Sequence, residues 1–382
     1  MKLSSALRHS NYKEKMNRRC MKKIIRIITK ILAVVFLILV IIYLFILYWP
    51  GIGRLPDSEK RASYDSRTNM YYDGQFHNTA EPVFGGEENE KSDLIVPDST
   101  VPVQKREFIE NAVSGEVKIT WFGHSSSLIQ MGGVNILLDP ILSEYSSPVN
   151  FMGNKRFSEI PIEPENLPDI DIVFLSHGDY DHLDYTTIKK IDGKTKHYIV
   201  PLGVESFLEG WGVSEDKITT LGWWEETDIA GLHFAFTESQ HYCVRNPIGF
   251  NTTWWGGVVI EDENYSIYYT GDGGYGSFFK KVYENYGAMD LILTDAGQYD
   301  PAWAWCHMTP AEALKAAEDV HAKYWIPVHW GAYTLANHAW NEPAKLSIAE
   351  SQNSDVSVII PKIGETVELE QLSNYVSTHW WE

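Results

Sequence analysis

The alternation of polar and apolar positions fails first near the N-terminal end of the chain. From Ile31 to Trp49 there are 19 consecutive residues without a charge, nearly all Ile, Leu, Val, Phe or Tyr. As a helix rising about 1.5 Å per residue, the run covers roughly 28 Å, close to the thickness of a bilayer's hydrocarbon layer. Tyr48-Trp49-Pro50 closes it with an aromatic interface anchor and a helix stop. A buried core helix rarely sustains so uniform a run. A cleaved leader would be shorter and followed by small residues. The pattern predicts a permanent anchor over 31–49.

Residues 50–115 carry little periodicity and read as an extended arm and linker, with a solvated loop at Gly85–Lys91 and extended chain from Pro97 to Pro102. From Glu116 the pattern changes to short apolar stretches. Glu116–Trp121, Ser127–Met131 and Val134–Asp139 read as strands, the last two joined by the hairpin signal Gly132-Gly133. Ile172–Ser176, Phe234–Thr237, Gly257–Ile260, Ser266–Thr270, Leu291–Thr294 and Tyr324–Val328 are further strands. Thr309-Pro310-Ala311-Glu312 opens a helix reaching about Val320, with Thr309 as N-cap, Pro310 at the first helical position and Glu312 completing a capping box. The result is an α/β domain over 116–382 in which strands dominate.

Charge divides the chain. Residues 1–50 hold ten Lys/Arg and one acid, for a charge of +9; the other 332 residues hold 22 bases and 50 acids, for −28. An acidic body repels polyanions and argues against a nucleic-acid partner. Bases ahead of the apolar run predict a cytoplasmic N-terminus (1–30) and a body on the outer face of the membrane. Three cysteines are too few for a disulfide scaffold.

The candidate chemistry lies in Ser176-His177-Gly178-Asp179-Tyr180-Asp181-His182, which follows an apolar strand and so sits on a loop at a strand end. Two imidazoles and two carboxylates within six residues bring several metal ligands into one small volume. A solvated acidic turn would need no histidine, and four candidate ligands directly behind a buried strand point to a metal.

This segment resembles the His-x-His-x-Asp-His signature of the metallo-β-lactamase superfamily. Trp121-Phe122-Gly123-His124-Ser125, Leu137-Leu138-Asp139-Pro140, Ser239-Gln240-His241-Tyr242, Trp254-Trp255-Gly256-Gly257, Thr270-Gly271-Asp272-Gly273 and Ile326-Pro327-Val328-His329-Trp330-Gly331 are similar, in order, to one branch. That branch comprises the N-acylphosphatidylethanolamine-hydrolysing phospholipases D and their bacterial relatives. The resemblance covers roughly residues 64–350. It implies an αββα sandwich behind the anchor and two divalent ions, zinc first, with manganese or iron as alternatives. It implies His177 and His241 on the first ion, Asp181, His182 and His329 on the second, and Asp272 bridging both. Asp179 stands where the family has its second His, so the first site gains a harder, charged donor.

The implied activity is phospholipase D-like cleavage of a phosphodiester in an (N-acyl)phospholipid by a hydroxide between the two ions, with Asp181 orienting it and His307 near the phosphate. A lactone or soluble phosphodiester is the alternative substrate, and a non-catalytic surface protein retaining the fold is another alternative. His124 is expected behind the ligands or in the core. Cys243 and Cys306 are expected near the site, their pairing left open. The partners are the bilayer and a membrane phospholipid.

Overall fold

The computed structural model describes residues 2–247 and 249–382, in two compact units, Met1–Trp49 and Pro50–Glu382. The first is one helix, Lys2–Tyr48. Its segment Arg18–Tyr48 reaches a mean hydropathy of 3.3 and buries none of that apolar window, so it is long and apolar enough to cross a membrane.

Two seven-stranded sheets build the second unit. In spatial order the first runs Ile218–Leu221, Thr195–Pro201, Ile170–Phe174, Val134–Leu138, Ser127–Met131, Lys118–Trp121, Thr366–Glu368. The second runs Glu226–Ile229, Leu232–Thr237, Gly257–Glu261, Ser266–Tyr269, Leu291–Asp295, Tyr324–Val328, Ser357–Val358. Successive side chains of a strand point to opposite faces, and both faces here are apolar. Ile136 and Leu138, Ile172 and Phe174, Val258 and Ile260, Leu291 and Leu293 meet in one core between the sheets. Leu137 and Val173 face outward under the helices Tyr185–Ile191 and Glu205–Gly210. Val259, Ile292 and Trp325 do the same under Phe278–Tyr286 and Pro310–Asp319. Helices therefore cover both outer faces, which gives the four-layered αββα arrangement.

The strands read from the sequence recur within two residues at either end, and the helix at Pro310 carries the expected capping box. The expected extended arm differs. Ser58–Arg67 is a helix capped by Asp57, whose carboxylate accepts from the amides of Glu59 and Lys60. Tyr64, Tyr71 and Phe76 bury against Trp254 and Trp255, and residues 50–115 belong to the same compact unit as the sheets. A ten-residue helix that contributes one buried side chain leaves almost no periodic trace.

A candidate binuclear metal centre

Parallel pairing aligns Val134–Leu138 with Ile170–Phe174, and Ser266–Tyr269 with Leu291–Asp295 and Tyr324–Val328. Their C-terminal ends deliver Asp139, His177, Asp272, Asp295 and His329 to one edge of the sandwich. The backbone there is bent hard. His124, Asp139 and His329 adopt φ of 54°, 39° and 69°, conformations that persist only where surrounding structure enforces them. Gly271, at φ 59°, turns the chain into Asp272 where an added Cβ would lie 2.6 Å from the carbonyl oxygen of Gly256.

Asp272 is the hub. Its Oδ2 lies 3.0 Å from His182 Nε2, 3.2 Å from His329 Nε2, and 3.9 Å from both His177 Nε2 and His241 Nε2. Ligand atoms of His177, His241 and Asp272 lie within 4.8 Å of one another, and so do those of Asp181, His182, His329 and His124. Asp181 Oδ2 is 3.2 Å from His329 Nε2 and 3.6 Å from His182 Nε2. Asp179 is half-buried at the cavity wall; its Oδ1 accepts from the Val244 amide (2.8 Å) and its Oδ2 faces His177 Nε2 at 3.7 Å. All seven ligand candidates are thus gathered in one place.

Each imidazole is held from behind. Nδ1 of His177 pairs with Ser176 Oγ at 2.9 Å, that of His182 with Asp139 Oδ2 at 2.7 Å, that of His241 with the Cys306 carbonyl at 3.1 Å, and that of His329 with Asp295 Oδ1 at 3.0 Å. With Nδ1 engaged, every Nε2 is turned toward the hub, the orientation metal-ligating histidines take. His177 Nε2, His182 Nε2 and Asp272 Oδ1 are buried and, close as some of them lie to one another, make no aligned hydrogen bond among the described residues. Buried polar atoms rarely stay unsatisfied. Two orphan imidazole nitrogens and an orphan oxygen of the carboxylate beside them, all of metal-ligating type, fit divalent ions at this edge.

The electrostatics agree. Burial opposes the charge of His329, yet Asp272 and Asp295 outweigh it and lift its pKa to about 10. Burial likewise opposes His182, and Asp272, Asp181 and Asp139 push it well above its ordinary value. Asp181 and Asp272 are buried too, but neighbouring imidazoles hold both well below the usual carboxylate range. Such an anionic cluster calls for positive charge, from protons or from metal.

Two carboxylates were passed over as functional residues in the sequence. Asp139 also accepts from the Ser176 amide, Ser176 Oγ and Tyr269 Oη. Asp295 grips His329 with one oxygen and, with the other, His307 Nδ1 at 2.7 Å. Each sits at the C-terminal end of a buried strand. His124 is fully buried, and its Nε2 lies 2.9 Å from Asp181 Oδ2. Cys243 and Cys306 are both free and buried; the thiol of Cys306 donates to the Trp303 carbonyl.

The centre lines a cavity of about 350 Å³ bordered by Asp179, Asp181, His241, Asp272, His307 and His329. Tyr242 and Trp303 form its far wall and also line a neighbouring cavity of about 460 Å³, walled largely by aromatic side chains such as Tyr72, Phe84, Phe250 and Trp305.

Residues 134–330, the stretch from Asp139 to His329 included, match the family described as the beta-lactamase superfamily domain. This chain belongs to the metallo-β-lactamase superfamily. Within it, the chain is 31% identical over 298 residues to the N-acyl-phosphatidylethanolamine-hydrolyzing phospholipase D 1 of Caenorhabditis elegans, covering 74% of this chain and 84% of that protein. It is 34% identical over 259 residues to an uncharacterised protein of Mycobacterium tuberculosis, covering 67% and 69%. Among solved structures, a possible metal-dependent hydrolase from Veillonella parvula superposes with a TM-score of 0.54 at 19% identity, covering 66% of this chain and 99% of that one. Its place is in the branch of the N-acylphosphatidylethanolamine-hydrolysing phospholipases D, and this superfamily member is a metal-dependent hydrolase.

Proposed function

We propose that this protein is a membrane-anchored phospholipase D-like phosphodiesterase acting on a phospholipid. The observation that carries the reading is the position of Asp272 Oδ2 among four imidazole nitrogens, beside a cavity that adjoins a second, aromatic one. His177, Asp179 and His241 would hold one ion, Asp181, His182 and His329 the other, and Asp272 would serve both. Divalent ions so held, zinc first, supply Lewis acidity at a phosphoryl oxygen and lower the pKa of water.

The chain's own groups do the rest. Asp181, on the cavity wall and fixed by His124, orients the attacking water and receives its proton. Water adds to phosphorus, and the bond to the headgroup oxygen breaks. His307 reaches the same cavity. Its Nδ1 is engaged by the Asp295 carboxylate, which fixes the ring and leaves Nε2 to pass a proton to the departing alcohol. Phosphatidic acid and a free headgroup alcohol result. Tyr242 and Trp303 present apolar surface to the lipid part of the substrate.

The relative from Caenorhabditis elegans, named for hydrolysing an N-acylated phosphatidylethanolamine, supports this substrate class. The apolar helix supplies the anchor, and the ten bases at the N-terminal side support a cytoplasmic N-terminus with the catalytic unit outside. The test is product analysis on phospholipid vesicles with purified, metal-analysed full-length protein. Chelator-sensitive release of phosphatidic acid is expected. Turnover of lactones or soluble phosphodiesters without phosphatidic acid would overturn the lipid assignment.

A further inference from the structure

We propose that the loop Ser147–Gly153, together with Val244 and Phe250, forms an apolar rim that dips into the lipid bilayer surface and seats the catalytic unit on it. The inference rests on the reading of Arg18–Tyr48 as a membrane span.

The first observation is exposure. Phe151 and Met152 are 69% and 64% exposed, and Val244 and Phe250 are 40% and 49%. Single exposed apolar residues need no explanation. These four occur on two segments that the fold gathers around residues 50–55, the stretch that directly follows the apolar helix in sequence.

The second observation is how closely both segments are tied to residues 50–55. Gly51 packs so tightly on Pro148 that an added Cβ would lie 2.1 Å from the Pro148 carbonyl oxygen. Arg245 donates from Nη2 to the Gly51 carbonyl at 2.8 Å. Leu55 lies against Gly249, where an added Cβ would meet its Cδ2 at 2.5 Å. Gly51 follows the last helical residue, Tyr48, by three positions. An extended chain covers at most about 3.6 Å per residue, so three residues reach roughly 11 Å. If the helix spans, connectivity alone holds Gly51, and with it both segments, within the headgroup layer. Interfacial depth is where aromatic and long apolar side chains are favoured.

Arg245 makes the tie firm. Its guanidinium is buried, donates also to the carbonyls of Gly178 and Leu183, and lies over the rings of Tyr180, Phe207 and Trp211. Gly178 and Leu183 flank Asp179, Asp181 and His182, so the same side chain that secures the rim to Gly51 secures the metal-binding loop. Phe250 also lines the aromatic cavity that shares Tyr242 and Trp303 with the metal centre. The bilayer, rather than a protein, is the occupant: it is what a spanning helix places beside Gly51, and the rim's exposed side chains carry no charge.

The experiment uses the full-length chain in phosphatidylcholine vesicles, with nitroxide labels at single introduced cysteines in a Cys20→Ser background; the two remaining cysteines are buried. Met152→Cys and Phe250→Cys report on the rim, with Phe151→Cys as a replicate. Phe36→Cys reports on the helix. Asn264→Cys, in the exposed turn eight residues before Asp272, is the aqueous control. Collision with oxygen is compared with collision with a water-soluble nickel chelate. The expected result is a deep label at Phe36, interfacial labels at Met152, Phe151 and Phe250, and an aqueous label at Asn264. A deep Phe36 label with rim labels as aqueous as Asn264 overturns the rim and leaves the anchor standing. An aqueous Phe36 label overturns the anchor and the rim together.

Discussion

Asp139 Oδ2 and His182 Nδ1 lie 2.7 Å apart, both fully buried, Asp139 at the end of one strand and His182 on the loop that follows the neighbouring strand of the first sheet. The carboxylate fixes the ring tautomer so that Nε2 is free to face Asp272. Asp139→Asn keeps the shape and removes the charge. It should weaken the ion shared by Asp181, His182 and His329 by about 10–100-fold, and leave the ion at His177 and His241 in place. Metal titration with stepwise removal by a chelator checks this; two ions released in step with wild type would count against the pairing.

Asp272→Ala should abolish turnover and lower the content of both ions, because among the described residues no other carboxylate stands within 4 Å of imidazoles from both sets. His307→Ala should keep both ions and lose about 10²–10⁴-fold in rate, the usual range for a proton-transfer group. Rates and metal content measured on the two variants side by side decide it. Near-normal turnover and metal content in Asp272→Ala would be fatal to the bridging role.

Asp179→His should keep the protein folded and shift its metal preference toward zinc, since imidazole is the softer donor. Removing a carboxylate also raises the Lewis acidity of the first ion, so the rising limb of the pH–rate profile should move to lower pH. Wild type and variant, each reconstituted with zinc and with manganese, are compared across pH. Identical preference and identical midpoint would mean that Asp179 is no ligand.

Metal removal should expose the protonation of the centre. The folded pKa of His329 is about 10, and that of His182 is also raised, against about 6.5 for an unfolded histidine. Their stabilising contribution is therefore complete below about pH 6.5 and is lost as pH climbs toward 10. Ligation needs both rings without their protons, so the stabilisation by metal grows over the same window. Chelator-treated protein should show a falling Tm from pH 6.5 to 10, and the Tm gain on restoring metal should widen. A gain that stays constant with pH would contradict the assignment.

The parts of this centre legible in the sequence are those whose side chains meet the ions. His177 through His182 stand out because four candidate ligands crowd into six residues, and Asp272 and His329 because the family pattern names them. Asp139 and Asp295 touch imidazoles that follow neighbouring strands but lie far along the chain, at separations of 43 residues to His182 and 34 to His329. No local pattern announces such a contact. Of the strands missed, Ile218–Leu221 and Glu226–Ile229 lie at the ends of the sheets and bury little, so their alternation is faint. Nothing in the sequence around Arg245 distinguishes it from any other base; its position among three aromatic rings and three carbonyls gives it a role.

The central claim is a pair of metal ions sharing Asp272, and the most direct measurement is elemental analysis of full-length protein purified without added metal, repeated after dialysis against zinc. The account predicts two ions per chain, present at purification or restored by zinc, and a loss of both in Asp272→Ala. One ion or fewer per chain, unchanged after zinc, would contradict it.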